Sequence, residues 1–124
     1  MTTITPAVDT ALAYHRAWTN RDMDRAMTYI AEDIVCHAPA GTLYGAQAFR
    51  QFMEPFTQIL TSSRLIAAFG DDEHAVVMYN TSTVPVPDAP GAEWVRVDNG
   101  TIREMTIIFD RLPFELARRS PPIA

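Results

Sequence analysis

The spacing of apolar residues changes once along the chain, and the change predicts the order of its elements. From Val8 to Leu60 apolar side chains recur at helical intervals, whereas beyond Ser63 they fall at every second position. Val8, Ala11, Leu12, His15 and Trp18 share one side of a helix running from about Pro6 to Thr19, with Tyr14 on its flank. Thr5-Pro6 opens that helix: a threonine hydroxyl can cap the first turn, and proline at the first helical position gives up no bond. Asn20-Arg21-Asp22 interrupts the pattern, and Asp22 is placed to cap a second short helix bearing Met23, Ala26, Met27 and Ile30. The two should pack as a hairpin. A third helix after Gly45 has the strongest stripe, formed by Phe49, Phe52, Met53, Phe56, Ile59 and Leu60, and Pro55 inside it predicts a bend.

The second half reads as strands. Ile34–Ala38 is a brief strand ended by Pro39 and Gly41, because proline donates no ladder bond. Arg64–Phe69, His74–Val84, Glu93–Val97 and Ile102–Phe109 follow as four antiparallel strands. Asp71-Asp72 marks a turn, Asn99-Gly100 a two-residue hairpin, and Pro85–Gly91 a rigid extended loop. Asp110 caps a last short helix, Leu112–Arg118, before a frayed tail, Arg119–Ala124. Helices followed by strands predict an α+β fold: a cone-shaped, curved, mostly antiparallel sheet wrapped around three N-terminal helices, with a short C-terminal helix. In the last strand both alternating sets, Met105, Ile107, Phe109 and Ile102, Thr106, Ile108, are largely apolar, which predicts a homodimer packed through the sheet. Ideal hairpin pairing sets Ile102 on the face of Val97, so Phe109 turns inward only if a bulge intervenes.

Composition narrows the partners. A chain of 124 residues suits one domain over 1–124 and buries roughly two thirds of its unfolded surface. No apolar run approaches the roughly 20 residues of a membrane span, and Met1–Val8 carries no leader pattern, so cytoplasmic residence is expected. A net charge of −5 opposes a phosphate backbone, which removes nucleic acid from the expected partners. Cys36 is the sole cysteine and has no partner in the chain. His15, His37 and His74 share no ligand spacing, and neither metal nor cofactor is expected.

The run Tyr14, Trp18, Asp22-Met23-Asp24, Asp33-Ile34-Val35, His37-Ala38-Pro39, Gly45 and Phe52 resembles the ketosteroid isomerases, limonene epoxide hydrolases and SnoaL-like polyketide cyclases. These share the nuclear transport factor 2 fold, and the likeness, covering Tyr14–Phe56, implies a cone around a pocket for a small apolar organic ligand. Tyr14 stands where ketosteroid isomerases carry an oxyanion-donating tyrosine. The place of their carboxylate base holds Ala38, and Glu93 falls near the strand bearing their protonated second acid. The working positions of the epoxide hydrolases match Ile107, Cys36, Ala38, Asn80 and Ser82, none with the required side chain; Arg96-Val97-Asp98 has the right letters one strand too late. The implied site has Tyr14 and Glu93 as catalytic groups. Its walls are Trp18, Cys36, Phe52, Phe56, Met78, Asn80, Ser82, Ile107 and Phe109.

Plainer readings stand beside these. Tyr14 reads equally as a core residue, Cys36 as a small buried one, Asp110 as a helix cap and Glu93 as a surface carboxylate at a loop end. A bulge in the first strand would exchange Ala38 for His37 in the pocket. Glu93 discriminates: facing inward, desolvation raises its pKa and it becomes the proton-transfer group of the sheet, whereas exposed it leaves only ligand binding. The expected function is a cofactor-independent isomerase or cyclase acting on a small apolar carbonyl compound, polyketide-like or terpenoid-like. The alternatives are a non-catalytic binding or interaction module and, second, an epoxide hydrolase-like hydrolase.

Overall fold

A computed structural model describes residues 6–119; the Thr5 cap and the tail from Ser120 lie outside them. Helix α1 (Pro6–Thr19) buries Ala7, Ala11, Tyr14, His15, Ala17 and Trp18, so Tyr14 belongs to the core rather than to the helix flank. The chain reverses through Arg21, whose φ of 62° lies in the left-handed region, and α2 (Met23–Met27) packs back on α1. The Asp22 carboxylate caps α2 by accepting from the Arg25 amide at 3.1 Å. Helix α3 (Ala46–Ile59) buries Phe49, Met53 and Thr57 and continues through Pro55, which lies on its exposed side.

Six strands form one mixed sheet in the order β2-β1-β6-β5-β4-β3. They are β1 (Ile30–Ala38), β2 (Gly41–Tyr44), β3 (Leu60–Gly70), β4 (His74–Thr83), β5 (Ala89–Asp98) and β6 (Thr101–Phe109), followed by α4 (Leu112–Arg119). Only the β1–β6 pair is parallel. The sheet curls over the helices without closing, which is the expected cone.

Several details depart from the sequence reading, among them that β5 starts at Ala89, inside the span expected to be an extended loop, and not at Glu93. Strand β1 begins at Ile30, which had been read as the end of the second helical stripe. Pro39 and Gly41 make a hairpin rather than ending the sheet, because Ala38 pairs with Gly41 and β2 returns along β1. Strand β2 is exposed at Gly41, Thr42 and Tyr44 and so shows no apolar alternation to announce it. The sheet also begins at Leu60, where α3 stops, rather than at Arg64.

The Asn99-Gly100 hairpin forms with both residues at positive φ, 52° and 76°. Beside it the pairing jumps from Arg96↔Glu104 to Val97↔Ile102, leaving Arg103 as a bulge. That extra residue restores the phase, so that Ile102, Met105 and Ile107 are buried together and Phe109 packs on the same core. The core lies between the concave sheet face and α1 and α3, centred on Trp18, Tyr14, Phe49, Ile34, Ile102 and Met105. Burying such side chains contributes about 1.5 to 3 kcal/mol each and is what holds the helices in the cone. No helix among the described residues is long and apolar enough to cross a membrane.

Candidate functional site

The site is built on two neighbouring strands. Residues paired across β4 and β5 share a face, and Val77↔Glu93 and Tyr79↔Gly91 are both turned inward. Glu93 is only 2% exposed, and the Tyr79 hydroxyl donates to its Oε1 at 3.0 Å. Gly91 makes this contact possible. A Cβ there would stand 3.2 Å from the Tyr79 ring, so glycine leaves the ring room to lean over β5 toward the carboxyl.

No cation pairs with Glu93 among the described residues. Burial pushes its carboxyl up to about 7, opposed by the Tyr79 hydrogen bond, which favours the anion. The same desolvation, aided by the Glu93 charge, raises the Tyr14 and Tyr79 hydroxyls and lifts the Cys36 thiol to about 12. Cys36 is therefore a thiol at neutral pH. His15 is held down to about 4 by burial and by Arg16, and its ring centre lies 5.0 Å from those of Trp18 and Tyr79. Tyr14 Oη and Trp18 Nε1 are buried and make no hydrogen bond among the described residues. Such groups are uncommon in folded proteins, since each unsatisfied donor costs about 1–3 kcal/mol.

Glu93 and Tyr79 open onto a cavity of about 120 Å³, roughly ten times what one water needs. Trp18 of α1, Phe52 and Phe56 of α3, Ile107 and Phe109 of β6 and Phe114 of α4 form most of its wall. A carboxyl able to hold or release a proton near neutrality thus faces an otherwise apolar chamber.

A family model described as a SnoaL-like domain matches residues 11–105, which takes in α1 through the middle of β6. The chain belongs to the SnoaL-like domain family. Solved structures agree. A protein from Kribbella flavida DSM 17836 is 60% identical, with a TM-score of 0.92 over 94% of this chain and 96% of that one. An NTF2-like protein of unknown function from Cytophaga hutchinsonii ATCC 33406 has a TM-score of 0.76 at 16% identity, covering 93% of this chain and 99% of its own. TerC, co-crystallised with polyporic acid, has a TM-score of 0.73 at 18% identity over 94% of this chain and all (100%) of that one. No curated protein matches the chain at a significant level.

Within this SnoaL-like domain the residues singled out from the sequence separate into three groups. Trp18, Phe52, Phe56, Glu93, Ile107 and Phe109 converge on the one cavity. Tyr14 and Cys36 are fully buried behind its wall, within reach of the Glu93 charge but not lining it. Met78, Asn80 and Ser82 face the opposite way and do not enter the cavity, a correction to their expected placement. Asn80 instead donates to Asp88 Oδ1 at 2.5 Å and Ser82 to the Pro87 carbonyl, so both brace the turn after β4. His37 also points outward, with Nε2 3.2 Å from Glu104 and Nδ1 3.3 Å from Thr42, and Ala38 keeps its place without a swap.

Tyr79, Thr81, Gly91 and Phe114, with Met53, Ala89 and Pro90, are the lining residues the sequence reading missed. In β4 both alternating sets mix apolar and polar residues, so alternation alone left the inward set undecided. A glycine within a strand facing a tyrosine on its neighbour was the available signal, because such a glycine marks a close approach.

Proposed function

We propose that this SnoaL-like domain is a cofactor-independent isomerase or cyclase that moves a proton on a small apolar carbonyl compound of polyketide-like or terpenoid-like character. The supporting observation is Glu93: a carboxyl at the wall of an apolar cavity, pushed to about 7, with a phenol to steady its anion. As base it would take a proton from the carbon next to the carbonyl, the bonding pair moving onto the carbonyl oxygen as an enolate. Where a carbon–carbon double bond lies next to that carbon, the enolate extends over it, and returning the proton to the far carbon of that bond completes an isomerisation with no oxidant or reductant consumed. Tyr14 keeps the oxyanion-donor role that the resemblance implies: its hydroxyl lies behind the cavity wall near Glu93 with no hydrogen-bond partner among the described residues, so it takes that role when the ligand parts the wall in front of it. A donor in that role is worth about 2.7–4 kcal/mol, so Tyr14→Phe should slow the reaction on the order of a hundredfold. TerC's co-crystal with polyporic acid is in keeping with an organic ligand in this fold.

The test needs no knowledge of the natural substrate. Exchange of α-hydrogens for deuterium in cyclohexanone and acetophenone, followed by proton NMR, should run well above buffer with the protein and fall at least a hundredfold in Glu93→Gln. Absence of exchange, with both ketones still quenching Trp18 fluorescence, would replace this reading with the non-catalytic binding module. Ala38 and Ile107, which stand where other enzymes of this shape carry acids, favour that second reading.

Cytoplasmic residence and a homodimer through the outer sheet face belong to the same proposal. On that face Val76, Met78 and Ile108 are 40%, 46% and 64% exposed, an apolar group of the kind that contiguous patches at interfaces contain. A monomer mass by light scattering at micromolar concentration refutes the dimer.

A further inference from the structure

A second cavity, of about 330 Å³, adjoins the first. Phe52, Phe56, Phe109 and Phe114 line both, so a single layer of phenylalanine rings separates an inner chamber from an outer one. The outer chamber is partly open to solvent and is bordered by the β1–β2 turn at Pro39 and Ala40 and by α4. Helix α4 has no buried residue of its own. Phe114 anchors it, with its ring centre 5.6 Å from that of Phe109 and 6.3 Å from that of Phe56. One side chain therefore both holds α4 down and divides the two spaces.

The outer wall differs from the inner one in charge. Arg111, Glu115 and Arg118 line it. The Glu115 carboxylate already serves Arg118 and Arg119, whereas Arg111 makes no ion pair among the described residues. Two arginines against one glutamate above an apolar floor, in a chain of net charge −5, is an uneven distribution that favours an anion. Size points the same way. The inner chamber of about 120 Å³ is smaller than ordinary small-molecule sites, which span roughly 300–1,000 Å³, so a ligand of ordinary size that reaches Glu93 must extend into the outer chamber of about 330 Å³.

We propose that the two chambers form one elongated site for an amphipathic ligand. Its apolar, carbonyl-bearing end lies against Glu93, its chain passes the phenylalanine layer as Phe114 turns aside, and its far end is a carboxylate paired with Arg111. The proposal rests on the small-molecule reading of the inner pocket and adds the class of ligand.

Calorimetric titration with 6-phenylhexanoate and its primary amide, two probes of equal length, tests it in the full chain. The carboxylate should bind about tenfold more tightly at low salt, and Arg111→Ala should abolish the preference while leaving the affinity of the amide within twofold. Arg111→Ala should also leave acetophenone, which fits the inner chamber alone, within twofold, because Arg111 lines only the outer one. Equal affinity of acid and amide for the unaltered protein, or a preference that survives Arg111→Ala, overturns the proposal. Acetophenone separates the failures: if it binds while the acid has no advantage, only the outer chamber is refuted, and if nothing binds, the inner pocket reading falls as well.

Discussion

Glu93 and Glu104 lie on adjacent strands of one sheet and meet opposite fates. Glu104, on the outer face of β6, stands 3.2 Å from His37 and 3.5 Å from Arg96 with water around it. Glu93, on the inner face of β5, has no cation, a single phenol donor and 2% exposure. The same side chain is a partnered surface charge in one place and, in the other, a buried carboxyl pushed up to about 7. Position on the pleat makes the difference: one step along a strand exchanges water and counter-ions for an apolar wall.

Breaking the inner member should have the larger effects. Glu93→Gln is expected to remove at least a hundredfold of α-hydrogen exchange, whereas Glu104→Gln should leave the rate within twofold; equal losses would dissolve the contrast.

The next effect is on stability. Because the folded pKa of Glu93 is raised from 4.5 to about 7, its contribution to stability is fully present below pH 4.5, declines as pH rises through this window and levels off above it. The decline amounts to about 3 kcal/mol. His15 acts in the opposite sense: with a pKa lowered from 6.5 to about 4, its contribution is present above pH 6.5 and lost as pH falls. The two slopes partly cancel in the unaltered protein, so urea unfolding should be compared between it and Glu93→Gln at pH 5 and pH 8. The variant should gain about 3 kcal/mol relative to its parent between the two conditions, and a constant difference would contradict the buried, uncharged carboxyl.

Sharpening the inner site calls for its supports. Tyr79→Phe removes a hydrogen bond that favours the anion, so the midpoint of the pH–exchange profile should move upward by about one unit. Gly91→Ala, which crowds the Tyr79 ring without deleting the hydroxyl, should move it in the same direction by less. A downward shift in either variant would mean that Tyr79 does not steady the charge. The smallest effect belongs to the outer pair, where Glu104→Gln should destabilise the fold by no more than about 1 kcal/mol in the same urea assay, because a half-exposed ion pair is screened by water.

Much of this contrast was legible in the residues themselves. The helical stripes of α1 and α3, the Asp22 cap and the Asn99-Gly100 turn are local signals, decided within a few residues by hydrogen-bond geometry and by which side must be apolar. The run from Tyr14 to Phe56 was enough to suggest the family. Trp18, Phe52 and Phe56 were traceable to the cavity because each sits on an unambiguous apolar stripe, whereas Ile107 and Phe109 lie on a strand apolar on both faces and needed the Arg103 bulge to turn inward. Strand β2 was not, since it is mostly exposed and finds its place only by pairing with β1. Nor was the inward set of β4, where Tyr79 and Asn80 are neighbours and a shift of one residue exchanges them.

By itself the sequence determined the order of elements, the α+β class, the apolar nature of the cavity wall and the chemical groups available to it. Tertiary structure alone decided which groups meet. A strand's period fixes two faces but not which face is buried; that choice comes from pairing across the sheet, from the Arg103 bulge and from packing against α1 and α3. Those long-range contacts turned Glu93 and Tyr79 toward one another and sent Asn80 and Ser82 to the surface.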